Sequence, residues 1–223
     1  MTSLAGLTRL IGHDFKVEAL LTQALTHRSH GALNNERLEF LGDSVLNCVI
    51  AALLYERFPA APEGDLSRLR AYLVREGTLS GIASTLALGN HLRLGEGELK
   101  SGGGQRPSML ADAMEAIIGA VFIDAGFDVA RNMVTRLYAP LLENLDPKSI
   151  GKDPKTLLQE FLQGRRLGLP EYSLLATQGE AHCQTFKVEC RIPALTIQAQ
   201  GEGGSRRIAE QQAAELAYQK ATQ

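Results

Sequence analysis

Near residue 147 the spacing of apolar residues changes period, and no single layer of secondary structure satisfies both halves of the chain. Upstream, apolar side chains recur at helical spacing over Phe15 to Leu25, Leu38 to Phe58, Leu66 to Leu73, Leu79 to Leu86 and Met109 to Phe122, with almost no alternation. Downstream, short runs alternate: Tyr172, Leu174, Ala176; then Phe186, Val188, Cys190; then Leu195, Ile197, Ala199. That alternation suits a sheet with one wet face. Asp153 followed by Pro154 reads as an N-cap with proline at the first helical position, opening a helix that stops near Gly164. A last helix starts at Ser205 and is expected to bury Ala209, Ala213, Leu216 and Ala217. Between the two patterns, NLDPKSIGKD is polar and contains proline and glycine. The spacing therefore predicts an all-α domain over 1–146, a linker over 147–152 and a small α+β domain, αβββα, over 153–223.

Charge sharpens that division. The chain carries 23 Lys and Arg against 25 Asp and Glu, a net of −2, which excludes strong global steering toward nucleic acid. The first part, to residue 146, holds 13 basic and 17 acidic residues; the remainder holds 10 and 8. Three cysteines, Cys48, Cys183 and Cys190, form no CxxC pair, which argues against a disulfide framework or a four-ligand zinc site. No stretch of about 18 uninterrupted apolar residues occurs, and MTSLAGLTRL lacks the form of a secretory signal. The expectation is a soluble, cytoplasmic protein without a membrane partner.

Chemistry concentrates in carboxylates. At about 100° per residue, Glu36, Glu39 and Asp43 share an arc of roughly 60° on one helix, while Leu38, Leu41 and Val45 lie opposite. Asp112 and Glu115 stand three residues apart in the otherwise apolar MLADAMEAIIGAVF. Like charges so spaced destabilise a helix by a few tenths of a kcal/mol per pair, more when partly buried, so something must neutralise them. One reading is a pair of solvated faces balanced by Arg37, Arg68, Arg70 or Arg75. The other is a hard cation, Mg²⁺ or Mn²⁺, held where two such helices meet and used for phosphodiester hydrolysis.

Resemblance favours the second. Asn35 to Leu46, NERLEFLGDSVL, resembles the signature of the ribonuclease III family of double-stranded RNA endonucleases. QALTHRS, EGDLSRLRAYLVR, LGEGELKSGG and SMLADAMEAIIGAVFIDAG follow in family order. The resemblance implies Mg²⁺, with Mn²⁺ as a substitute, held by Glu39, Asp43, Asp112 and Glu115, with Asp43 and Glu115 closest to the chemical step. Glu36 and Glu63 match further acidic positions of less direct role. It also implies cleavage that leaves 5′-phosphate and 3′-hydroxyl ends, in the processing of precursor ribosomal RNA and structured messenger RNA. A homologue that had lost its chemistry would be expected to lack a ligand carboxylate, and none is missing. A DNA-directed nuclease conflicts with the RNA-type second domain.

In that second domain, Ser205 can cap the last helix, placing Arg206 and Arg207 where backbone N–H groups already attract phosphate. DPKTLLQEFLQG, GEAHCQTFKVEC and GSRRIAEQQAA resemble a double-stranded RNA-binding domain. The resemblance makes Gln159, Gln163 and His182 minor-groove contacts, and Arg206 and Arg207 phosphate contacts. Glu210 departs from the pattern, standing where a third basic residue is usual, and is expected to weaken the major-groove contact. His13-Asp14 is read as no metal site, with Asp14 capping a helix that opens at Phe15. Phe40 falls near 40° on the acidic side of its helix, away from Leu38 and Leu41. In the family this neighbourhood belongs to the homodimer junction, so Phe40 is expected to pack into a second copy; the alternative is a bent helix that buries it within its own subunit.

Overall fold

A helix that is apolar over most of its surface belongs at the centre of a domain. Such a helix is α7 (Pro107–Ala125), whose buried residues run almost unbroken from Met109 to Val121. Around it pack α2 (Glu18–Ala24), α3 (Glu36–Arg57), α5 (Glu76–Thr85) and α8 (Phe127–Glu143). The first unit also holds α1 (Leu4–Ile11), α4 (Glu63–Val74) and the short α6 (Glu96–Lys100). The computed structural model describes residues 4–143, 145, 147, 153–179 and 184–222. The chain divides into two units, Met1–Ile150 and Gly151–Gln223. The linker expected at 147–152 lies, Pro147 apart, outside the described residues.

The closest pairing in the first unit is α3 on α7. Leu38, Val45, Leu46, Val49, Ile50 and Leu54 form the buried stripe of α3, each such side chain contributing roughly 1.5 to 3 kcal/mol. By length and hydropathy α3 could span a bilayer. Its apolar stripe faces α7, however, and its first turn carries Glu36 and Glu39.

Two features of the N-terminal region differ from expectation. Helix α1 forms where no helix was expected; it buries Leu7 and Ile11, and Arg136 on α8 donates to the Leu10 and Ile11 carbonyls. Helix α2 begins at Glu18, not Phe15, and Asp14 does not cap it. Asp124, near the end of α7, accepts from the Lys16 and Val17 N–H groups at 2.9 Å each and bonds His13 Nε2 at 2.8 Å. A carboxylate 107 residues downstream of Val17 thus holds the backbone donors just ahead of the helix.

The second unit is α9 (Pro154–Gly164), β1 (Glu171–Gln178), β2 (Thr185–Ile192), β3 (Ile197–Gly203) and α10 (Arg206–Thr222), with an antiparallel sheet in the order β1-β2-β3. The Asp153 carboxylate accepts from the Thr156 N–H at 3.0 Å, capping α9. Tyr172, Cys190 and Ala199 sit in register. Leu158, Leu162, Cys190, Ile192, Ala213 and Ala217 close the core against both helices. Three placements depart from expectation. Leu195 lies in a 3₁₀ turn ahead of β3. A register shift between Leu174 and Ala176 interrupts β1, where Leu174 is exposed. Ala214 is buried in α10, whereas Leu216 is 38% exposed.

Candidate active site

Close approach of α3 and α7 depends on two glycines. A Cβ built on Gly42 would fall on the Glu115 carbonyl, and one built on Gly119 would fall on the Leu38 carbonyl. Ala113, Ala116 and Ala120, all fully buried, keep α7 thin. Backbone contact at Gly42 puts the acidic residues of α3 opposite those of α7. Glu39 and Asp43 precede and follow Gly42, and Asp112 and Glu115 lead up to Gly119.

Electrostatics report the result. Burial pushes the Glu115 carboxyl up to about 8, and the charges of Asp43, Glu39 and Asp112 push the same way. Burial also raises Asp112, with His27 opposing, Glu76 adding and Arg28 opposing. Glu39 is raised by burial first, then by Asp112 and Glu36, with Arg28 opposing and Asp43 adding. From the interior side, the buried Tyr138 hydroxyl donates to the Leu73 carbonyl at 3.3 Å and is itself pushed up by burial and by Glu115. Among the described residues, no Lys or Arg forms an ion pair with Glu39, Asp43, Asp112 or Glu115. Of the four arginines that a solvated-face reading offered, two have other partners: Arg68 pairs with Asp65 at 2.8 Å, and the Arg75 guanidinium lies 4.2 Å from the Tyr72 ring centroid.

Glu36, Glu39 and Asp112 line one open cleft of about 590 Å³, together with His27, Arg28, Ser29, Glu98 and Arg106. Asp43 and Glu115 do not line it and lie one helical turn further along. Asp43 is held by Asn47, whose side-chain amide donates to its carboxylate at 2.8 Å. Glu36 receives Arg28 at 3.5 Å and the Asn34 amide at 3.2 Å. Glu63 opens α4, accepts from the Ser67 hydroxyl at 2.6 Å and does not line the cleft. Among the described residues, no three acidic, histidine or cysteine side chains converge closely enough to hold a metal ion as they stand. The donor set is nevertheless that of a hard cation: four carboxylates, two per helix, unbalanced by any paired base.

Sequence reasoning gave His27 and Arg28 no role in this cleft, yet with Arg106 they form its basic lining. Arg106 on the far side pairs with Glu98 at 2.9 Å. His27 Nδ1 is bonded by the Ser29 hydroxyl at 2.8 Å and by the Ser29 N–H at 3.2 Å. Its one local signal was the HRS tripeptide itself. Phe40 is 78% exposed, the most exposed of the large apolar side chains among the described residues, so its own subunit does not bury it.

In the second unit, Gln159 and Gln163 are exposed one turn apart on α9, on the face adjoining the buried Leu158 and Leu162. The Ser205 hydroxyl accepts from the Ile208 N–H at 3.3 Å, and Arg206 and Arg207 are exposed beside it. His182 lies outside the described residues. Glu210 is not a free acidic side chain. It pairs with both Lys155 and Arg206.

Comparison with known proteins agrees across both units. Residues 17–142 match a family model described as Ribonuclease-III-like, and residues 154–221 match the double-stranded RNA binding motif. Ribonuclease 3 of Bordetella avium (strain 197N) is 62% identical over 219 residues, covering 98% of this chain and 87% of that one. Ribonuclease 3 of Thiobacillus denitrificans (strain ATCC 25259 / T1) is 62% identical over 213 residues, covering 96% and 94%. Among solved structures, the nuclease domain of ribonuclease III from Campylobacter jejuni matches with a TM-score of 0.62 at 43% identity, covering 66% of this chain and 100% of that one. A second structure of that domain, described for flexibility in a region involved in dimer formation, matches with a TM-score of 0.61 at 44% identity, over 62% and 97%.

Proposed function

The chain belongs to the ribonuclease III family of endoribonucleases, and on that premise we propose that it cleaves double-stranded RNA at the carboxylates shared by α3 and α7. Glu39, Asp43, Asp112 and Glu115 are the residues that would hold Mg²⁺, with Mn²⁺ as a substitute. When bound, the ion supplies an activated water and charge stabilisation for the leaving oxygen. Asn47 keeps Asp43 in place, and the Gly42 contact keeps Glu115 across from it. Hydrolysis forms a bond from water oxygen to phosphorus and breaks the bond to the 3′ oxygen, which takes a proton. The ends are then a 5′-phosphate and a 3′-hydroxyl. The observation that carries this reading is the backbone contact of Gly42 with the Glu115 carbonyl, which sets Glu39 and Asp43 against Asp112 and Glu115 with no ion-paired Lys or Arg among the described residues.

The second unit supplies affinity through Gln159 and Gln163 on α9, Arg206 and Arg207 on α10, and His182. Two copies joined through Phe40 on α3 would set two sites across one duplex, each cutting one strand. Precursor ribosomal RNA and structured messenger RNA in the cytoplasm are the substrates of this proposal. The test is single-turnover cleavage of a labelled RNA duplex by wild type and Glu115→Gln, with and without Mg²⁺. Glu115→Gln keeps size while removing the charge, so cleavage should fall by orders of magnitude while duplex binding persists. Near-normal turnover by the folded variant would refute the assignment.

A further inference from the structure

Glu210 replaces an expected base, yet its carboxylate lies at the centre of a three-charge cluster that joins α9 to α10. Its Oε2 receives Lys155 Nζ at 2.7 Å and its Oε1 receives Arg206 Nε at 2.9 Å. The Glu210 side chain is only 15% exposed, against 60% for Arg206 and 38% for Lys155. The Lys155 ammonium also lies 4.5 Å from the centroid of the Tyr172 ring on β1, so it is held from two sides. Both partners hold the Glu210 carboxyl below its usual range, the Lys155 hydrogen bond most of all.

Three consequences follow from the geometry. The cluster has two positive charges and one negative, so the patch stays positive. Both carboxylate oxygens are engaged, which leaves little free negative charge to repel phosphate. Arg206 is bonded through Nε, and its terminal Nη1 and Nη2 groups have no internal partner among the described residues. A guanidinium is a planar fork, so fixing Nε fixes the direction of the other donors; an ammonium offers no such division.

We propose that Glu210 is a positioning residue for duplex RNA. By gripping Arg206 and Lys155 it locks the phosphate-facing start of α10 to the start of α9. The spacing between the phosphate contacts at Arg206 and Arg207 and the groove contacts at Gln159 and Gln163 is thereby fixed. This inference rests on the reading of those four residues as RNA contacts.

The test measures binding of the full chain to a labelled RNA duplex, without divalent metal, as a function of potassium chloride. Glu210→Gln should weaken binding about tenfold and reduce the salt slope by about one. Lys155→Met should weaken binding similarly, and the double variant should be no worse than either single one. Arg206→Lys keeps the charge but loses the fork. It should weaken binding in the wild-type background and have little effect beside Glu210→Gln. Unchanged or tighter binding by Glu210→Gln would overturn the proposal, because a merely repulsive carboxylate predicts that gain. Arg206→Ala and Arg207→Ala separate the two layers of the argument. If neither weakens binding, the RNA-contact reading fails; if both do and Glu210→Gln does not, only the positioning role fails. Should Glu210→Gln melt below the assay temperature, the Arg206→Lys comparison decides, since a pure charge role predicts no change there.

Discussion

Gly42→Ala should separate catalysis from folding more cleanly than any carboxylate substitution. The added Cβ would fall on the Glu115 carbonyl and lie 2.9 Å from the Gly119 amide nitrogen, where ordinary contacts begin at 3.4 Å. Every atom it meets is backbone, so no side chain can swing away, and α3 must part from α7 by on the order of 1 Å. Helix propensity favours alanine by about 1 kcal/mol, while overpacking costs about 1 to 3 kcal/mol. The net is a destabilisation of roughly 0 to 2 kcal/mol, or a few degrees in melting temperature. Catalysis should suffer far more, because a shift of about 1 Å between Glu39 and Asp43 on one side and Asp112 and Glu115 on the other is worth about a hundredfold in rate. Gly81 in α5 is the control, since a Cβ there meets nothing within 4 Å. Gly81→Ala should be stabilised by about 1 kcal/mol and fully active. Calorimetry and single-turnover cleavage of a duplex would be run on both variants. A Gly42→Ala enzyme that turns over at the wild-type rate refutes the argument from backbone contact.

Glu115 gives a pH test. Its carboxyl sits at about 8 in the folded chain against an ordinary 4.5, so between those values the folded state keeps a proton that the unfolded chain releases. Stability of the metal-free protein should therefore fall as pH rises through that window, and Glu115→Gln should flatten the fall. Melting curves that decline equally in wild type and Glu115→Gln would contradict the assignment. For Phe40, 78% exposed in its own subunit, alanine should barely change the stability of a protomer. It should shift the dimer toward monomer in light scattering, because truncating a buried Phe costs about 3 to 5 kcal/mol. A wild type that is monomeric at micromolar concentration, or a variant that is as dimeric as wild type, would sink the proposed junction.

The parts of the molecule that were legible in the sequence are those set by local periodicity. The 3.6 period of Leu38 to Phe58 and Met109 to Phe122 became α3 and α7, and the alternation of Phe186, Val188 and Cys190 became β2. The two-per-helix spacing of the carboxylates was readable for the same reason. What escaped are pairings between residues far apart in sequence, which leave no periodic trace. Gly42 on Glu115 is one; Lys155 on Glu210, 55 residues apart, is another. Helix α1 escaped because eight residues hold barely two turns. The start of α2 was misplaced because Asp14 offered a plausible local cap while Asp124 supplied the actual hydrogen bonds.

The bilayer-like apolarity of α3 has a consequence for how the chain is made. On a ribosome α3 emerges about 70 residues before the end of α7, the helix that covers its apolar stripe. At about 5 to 20 residues per second, that interval lasts roughly 4 to 14 s. Throughout it, the apolar stripe of α3 travels without α7, and Asp124 has not yet been added to hold the Lys16 and Val17 amides. The first unit is therefore a late closer during synthesis. A nascent chain stalled before residue 110 should bind a hydrophobic-segment chaperone, and one stalled with residue 126 well clear of the exit tunnel should release it.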